Sequence, residues 1–321
     1  MNILLTGAGG AAAISVWKSL HAEHNIFMSD MDPCAAGLYL VPASNRLLVP
    51  RGDAPDFVDY VLQACKTRNI DLLIPTVDAE LFPLAAQAPV FADCGIQMPL
   101  SPARVLQDCR DKYALLTLCQ DTGLMPEYEL LTDAPLRQNR FPLFAKPRSG
   151  SGSAGIMTLH HARELEQLPR DGSYLIQEVL GGDEYSVDVY IHSSGRPIAA
   201  VPRLRMKIDS GIAVAAQTRI MPELSDMALR IAVKAGIRYV ANIQFKANAQ
   251  GQFKLLEINP RFPGTLPLTA AAGIDIPKLL IQDIAGQTFA DGLLPFKELM
   301  VVRYWTEQFI AVSEWEALCR T

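Results

Sequence analysis

Hydrophobic and polar positions change period along the chain, and the changes mark out its elements. Residues 2–6 (NILLT) form an apolar run that ends in Gly7-Ala8-Gly9-Gly10 and gives way to alanine-rich sequence of helical character. Strand, glycine turn and helix in that order predict the opening of a parallel βα unit. A second short strand is expected at 26–29, closing on Asp30 and Asp32. Helical periodicity over 56–69 precedes a third strand at 71–75 (DLLIP), and Asp78-Ala79-Glu80 opens another helix. This alternation predicts a small, doubly wound parallel sheet ending near residues 99–102.

The next stretch, 101–123, reads as a helix capped by Ser101 with Pro102 in its first turn. A strand at 141–146 and a returning strand at 156–159 flank the loop at 149–155, rich in glycine and serine. A helix follows at 161–168, then a strand at 173–178 that stops before Gly181-Gly182. From 184 to 216 the period becomes two, with Tyr185, Val187, Val189 and Ile191 alternating with polar positions. A helix is expected at 225–235. Alternating runs at 239–246 and 252–258 flank a hairpin turn at 248–251, and a helix at 276–284 closes the pattern. The tail, 298–321, reads as a strand and a short helix. The fold class expected is α/β, becoming α+β toward the C-terminus.

Composition narrows the function classes. The 321 residues are 50% hydrophobic and 20% charged, with a net charge of −5. That is a globular composition with room for two or three subdomains. It implies neither a basic nucleic-acid-binding face nor a polybasic membrane anchor. No apolar run reaches the roughly 18 residues of a membrane span, and the first ten residues lack the pattern of a secretory signal. The six cysteines include no CxxC pair and read as reduced packing thiols of a cytoplasmic protein. The five histidines form no convergent set.

Three clusters carry candidate chemistry. In the first, Lys146 ends a strand beside the loop Ser149-Gly150-Ser151-Gly152-Ser153-Ala154-Gly155. Glycines let backbone N–H groups approach phosphate oxygens, and the lysine adds a fixed charge. The loop is not a Walker motif, and a merely mobile turn is the competing reading. In the second, Gln177-Glu178-Val179-Leu180 ends a strand whose exposed backbone can pair with an adenine edge, with Glu184 placed to accept from ribose hydroxyls; a solvated strand end competes. In the third, Gln244 lies on one strand and Glu257, Asn259 and Arg261 follow on the next. Alternation puts Glu257 and Asn259 on one face, and a hairpin brings Gln244 alongside. One carboxylate and two amide oxygens suit Mg²⁺ held jointly with nucleotide phosphates, and Arg261 can neutralise a phosphoryl group in transit.

Taken together, Lys112, Lys146, the glycine/serine loop, residues 177–184, Gln244 and Glu257-x-Asn259-Pro260-Arg261 resemble the ATP-grasp superfamily in order and approximate spacing. The resemblance is to single synthetase units of the carbamoyl-phosphate synthase large subunit and to related free-standing ligases, and it spans nearly the whole chain. It implies a Rossmann-like pre-ATP-grasp domain (1–100), a central lid subdomain bearing the loop (101–178) and a C-terminal subdomain with the metal site (179–321). It also implies ATP contacts from Lys112, Lys146 and the loop residues Ser149 to Gly155. Glu178 to Leu180 would hold adenine and Glu184 the ribose. Gln244, Glu257 and Asn259 would bind one or two Mg²⁺, or Mn²⁺, and Arg261 would stabilise the transferred group. The family's dimers make a homodimer or a partner subunit compatible with the pattern.

The chain has a single such unit, where the full carbamoyl-phosphate synthase has two. That favours a simpler carboxylate–amine or carboxylate–thiol ligase acting on small molecules. A bicarbonate- or carbamate-phosphorylating subunit and a non-catalytic ATP sensor are the alternatives. For the substrate, alternation puts Arg203, Arg205 and Lys207 on one face as a carboxylate clamp, against an exposed basic strand edge. Arg219 and Thr265 are further candidates. Asp78 and Glu80 sit where parallel sheets bind ligands and could receive an amine, with helix capping the competing role for Asp78. A nicotinamide-binding reading of the first glycine turn with Asp30 is disfavoured, because the spacing is GxGG and not GxGxxG.

Overall fold

The computed structural model describes residues 1–138, 140–150, 155–209 and 211–320. The first unit runs β1 (Asn2–Thr6), α1 (Ala11–Leu20), β2 (Asn25–Asp30), β3 (Arg46–Leu48), α2 (Phe57–Thr67), β4 (Leu72–Ile74), α3 (Asp78–Ala86) and α4 (Ala88–Asp93). Its strands are all parallel in the order β3-β2-β1-β4. Both faces are buried, which is why β1 and β4 are continuous apolar runs. One face carries Leu4, Phe27 and Leu73 against Phe57, Val61 and Phe91 of the flanking helices. The other carries Ile3, Leu5 and Met28 toward α1 and the rest of the chain.

The expected helix over 101–123 is two helices, α5 (Ala103–Arg110) and α6 (Lys112–Leu118). Asp111 breaks them: its carboxylate accepts from Tyr113 N and Ala114 N and caps the second. Ser101 caps neither. Its hydroxyl instead donates to Arg238 O at 3.0 Å and accepts from Arg238 N at 2.9 Å.

Next come β5 (Tyr128–Thr132), β6 (Leu143–Pro147), β7 (Met157–Leu159) and β8 (Asp171–Glu178), an antiparallel sheet in the order β5-β8-β6-β7. Its outer face buries Leu131, Leu143, Ala145 and Ile176. The expected helix at 161–168 is a 3-10 turn, Ala162–Gln167.

The third part contains β9 (Glu184–Ile191), β10 (Pro197–Asp209), β11 (Ile212–Thr218), α7 (Pro222–Ala235), β12 (Tyr239–Ala247), β13 (Phe253–Asn259), α8 (Leu266–Ala271), α9 (Ile276–Ile284), β14 (Met300–Val302) and α10 (Val312–Leu318). Its six strands order as β13-β12-β9-β10-β11-β14. The hairpin turn at 248–251 is fixed by Asn248, whose Oδ1 accepts from Gln250 N and Gln252 N, and by Gly251 at φ +77°.

Period two divides this sheet. Tyr185, Val187, Val189, Ile191, Ile243 and Phe245 pack on α7 and on the α5–α6 pair. The other face begins polar at Glu184, Ser186 and Asp188 and turns apolar at Tyr190, where it packs on the first unit. In the tail, Leu318 is buried and Arg46 bonds Glu314 at 2.5 Å, while Tyr304, Trp305 and Phe309 between them are exposed. Among the described residues no helix is long and apolar enough to cross a membrane.

Candidate active site

A cleft of about 700 Å³ opens between the two antiparallel sheets, with α3 at one end. Its size suits a nucleotide-sized ligand. Phe144, Lys146 and Thr158 line one wall together with Gln177, and Arg205, Gln244, Lys246, Glu257 and Asn259 line the other. Pairing explains the second wall. Gln244 lies directly opposite Glu257 and Ser186, and Asn242 lies opposite Asn259 and Asp188. Side chains opposite one another share a face, so a polar ladder crosses the strands.

Lys146 is 5% exposed. Its Nζ donates to Leu256 O at 3.3 Å. That carbonyl is presented by a bulge: the β12–β13 register slips between Gln244 and Phe245 and leaves Leu256 without an opposite residue. Burial pushes the Lys146 ammonium down to about 8; the charge of Lys112 pushes the same way and Glu257 opposes it. Lys112 starts α6 and donates from Nζ to Gly150 O at 2.8 Å. Burial lowers its pKa too, opposed by Glu257, Asp111 and Asp78. Both lysines therefore sit in the field of Glu257.

Asn259 Nδ2 donates to Glu257 Oε1 at 3.0 Å. Its carbonyl oxygen, the Gln244 amide and the second Glu257 oxygen remain as hard donors on one face. This set fits a magnesium ion that also takes phosphate oxygens from a nucleotide. Among the described residues no group of three or more His, Cys, Asp or Glu side chains is arranged to hold a metal.

Arg261 turns toward the first unit. Its Nε and Nη2 donate to Asp78 Oδ1 and Oδ2 at 2.7 and 2.8 Å. Asp78 does not cap α3, whose cap position is Val77 and which has no side-chain cap bond.

At the other end of the cleft, Val179 and Leu180 line the wall beside Gln177. Gln177 is buried, and its Oε1 has no protein partner among the described residues. Glu178 faces the opposite way and accepts from Glu127 N at 3.0 Å. Glu184 lines the cleft, held by Arg205 Nε at 3.1 Å and Lys246 Nζ at 3.7 Å. Ser149 is exposed, and Gly155 adopts φ +72°. Ser151, Gly152 and Ser153 lie outside the described residues.

The basic strand is arranged differently from its expected clamp. A register shift between Arg205 and Lys207 breaks the alternation, and Lys207 is exposed. Arg203 is 2% exposed and spent on a buried partner, Asp188, at 2.8 and 2.6 Å. Of the three, Arg205 alone lines the cleft. Arg219 lies within electrostatic reach of Tyr185, on the packed side of the sheet. Thr265 is buried at the start of α8, its carbonyl accepting from Leu268 N.

Sequence reasoning missed Asp188, which also accepts from Asn242 Nδ2 at 2.7 Å and Thr269 Oγ1 at 2.5 Å. The available signal was an acidic residue inside the apolar strand YSVDVYI. It missed Lys246 as well. At the first glycine turn, Asp30 accepts from Gly9 N and Asp32 N, so its carboxylate is committed to its own loop. Glu80 is buried and accepts from Thr6 Oγ1. Burial pushes its carboxyl up to about 7, with Asp30 and Asp78 adding to the effect.

Two family models match. One, "ATP-grasp in the biosynthetic pathway with Ter operon", covers residues 170–308, and "PylC-like, N-terminal domain" covers 3–99. Among curated relatives, the D-alanine–D-alanine ligase of Thermotoga maritima is 29% identical over 207 residues, 56% of this chain and 67% of its own length. The arginine-specific carbamoyl phosphate synthase large chain of Geobacillus stearothermophilus is 27% identical over 164 residues, 47% of this chain and 16% of that longer protein. Among solved structures, N5-carboxyaminoimidazole ribonucleotide synthetase superposes with a TM-score of 0.72 at 15% identity, covering 93% of this chain and 80% of that one. Biotin carboxylase from Campylobacter jejuni gives 0.71 at 16%, covering 90% and 72%. At such identities the superpositions speak for the fold.

Proposed function

From the premise that the chain belongs to the ATP-grasp superfamily, among its ATP-dependent ligases, we propose that it joins a small-molecule carboxylate to an amine through an acyl phosphate, releasing ADP and phosphate. The observation that carries this reading is one cleft in which Lys112 and Lys146 share the field of Glu257, with Asn259 bonded to that carboxylate and Arg261 beyond it.

The purine lies against Phe144, Val179 and Leu180, and Glu184 accepts from the ribose. Lys112 and Lys146 hold the phosphates. Glu257, Asn259 and Gln244 would hold magnesium, which when bound supplies charge neutralisation of the nucleotide's phosphate oxygens. A carboxylate oxygen of the substrate attacks the γ-phosphorus, and the bond to the ADP oxygen breaks. Arg261 offsets the charge that spreads over the transferred group. The amine then attacks the carbonyl carbon, phosphate leaves, and the amine's proton passes to solvent. Positioning and charge neutralisation suffice, so no protein nucleophile takes part.

The test is ADP release by the purified chain with Mg-ATP and pools of carboxylates, amines, thiols and bicarbonate. Release that requires a carboxylate and an amine together supports the reading. Release with bicarbonate alone, or with a thiol in place of the amine, replaces it with the corresponding alternative.

A further inference from the structure

Arg261 and Asp78 come from opposite sides of the cleft's end. Arg261 follows β13 in the six-stranded sheet, and Asp78 opens α3 at the C-terminal end of β4 in the parallel sheet. Their contact is bidentate, at 2.7 and 2.8 Å. A third bond runs from Nη1 to Phe262 O at 3.3 Å. Counted by donors, Nε–H and one Nη2–H go to Asp78 and one Nη1–H goes to Phe262. Among the described residues one N–H on each terminal nitrogen is left for the oxygens of a phosphoryl or acyl-phosphate group.

Three facts point to a role for this pair beyond folding. Both side chains are partly exposed, at 22% and 33%, so the pair adds little to folding. Both line the cleft. Asp78 also helps hold the charge on Lys112, so one carboxylate serves two cations of the phosphate region.

We propose that Asp78 is a positioning residue for phosphoryl transfer: it locks the Arg261 guanidinium in the cleft with donors to spare and ties it to the domain that carries the strand ends of the parallel sheet. The inference rests on the ligase reading. An arginine fixed before the reaction needs no reorganisation as charge moves. Freed from Asp78, it would sample many rotamers, and misplacement of a charge-stabilising group by about 1 Å costs on the order of a hundredfold in rate.

The test compares Asp78→Asn, Asp78→Glu and Arg261→Ala, and the double variant Asp78→Asn with Arg261→Ala, each first shown folded by its thermal transition. Asp78→Asn is expected to lower kcat roughly tenfold to a hundredfold with KM for ATP within about twofold. In the Arg261→Ala background the same change is expected to cost less than about twofold. Asp78→Glu should recover part of kcat. Equal losses in both backgrounds, or an unchanged kcat in Asp78→Asn, overturn the proposal and leave the ligase reading standing. If the wild type binds ATP but no substrate pool releases ADP, the ligase reading falls, and the pair is judged by binding of Mg-ADP with orthovanadate. Vanadate should then tighten ADP binding to the wild type about tenfold or more and do so much less in Asp78→Asn. Equal tightening in both, or none in the wild type, overturns the proposal.

Discussion

Arg203 and Asp188 form a bidentate pair inside the six-stranded sheet, at 2.8 and 2.6 Å, with both side chains almost completely buried. Asn242 and Thr269 complete the carboxylate's bonds. A guanidinium so deeply buried, with its Nε–Nη2 edge committed to Asp188 and no place in the lining of the cleft, is architecture. Removing one member strands the other as an uncompensated buried charge. Arg203→Ala or Asp188→Ala is therefore expected to cost about 3–5 kcal/mol, read as a shift of the denaturation midpoint with an unchanged slope. Full stability with a raised KM for the carboxylate substrate would assign Arg203 to the pocket instead.

Lys146 gives a pH signature. Its ammonium is disfavoured by burial and titrates near 8 in the free protein. The folded value lies below the unfolded one, so this group's penalty on stability fades as pH rises from about 8 toward the ordinary lysine range. Phosphate binding needs the charged form and moves the other way. Accordingly, kcat/KM for ATP should fall above pH 8 by about tenfold per unit. The kcat profile should hold to higher pH, because bound phosphates keep the lysine protonated. Lys146→Arg should remove the alkaline fall. Coincident profiles for the two parameters would show that Lys146 does not contact the phosphates.

Glu80 makes the opposite kind of group. Its folded pKa is raised from 4.5 to about 7. The folded protein thus holds more protons than the unfolded chain between those values, and stability contributed by this group is lost as pH rises through 7. The full effect is on the order of 3 kcal/mol. Glu80→Gln keeps an acceptor for Thr6 and should flatten the stability–pH curve between 4.5 and about 7. An unchanged slope would place the Glu80 proton elsewhere.

Glu257 is the one carboxylate of the proposed magnesium set. Glu257→Gln preserves size and the bond from Asn259 and removes the charge. The half-saturating magnesium concentration for ADP release is expected to rise at least about tenfold. Because Glu257 also supports the charge of Lys146, the variant's alkaline limb should move to lower pH. A magnesium dependence identical to wild type would contradict the assignment.

What the sequence made legible follows from local rules. Strict alternation put Glu257 and Asn259 on one face, and the Asn248 turn placed Gln244 opposite Glu257. The parallel order of β1, β2 and β4 followed from apolar runs separated by helical stretches. Illegible features depend on tertiary partners. The Leu256 bulge, which gives Lys146 a carbonyl, has no glycine to announce it. The bulge after Arg205 undid an alternation argument that a regular strand would have satisfied. Asp78 reads as a helix cap until Arg261, 183 residues away, is placed beside it.

The acyl-phosphate step is tested most directly by oxygen tracing. Once ADP release has identified a carboxylate substrate, that carboxylate is supplied with ¹⁸O in both oxygens, and the phosphate formed during turnover with the amine is examined by mass spectrometry. Transfer to the γ-phosphorus followed by amine attack leaves one substrate oxygen on each phosphate released, so singly labelled phosphate in step with ADP is the expected result. Unlabelled phosphate, with the oxygen lost from the carboxylate recovered in water instead, would contradict it.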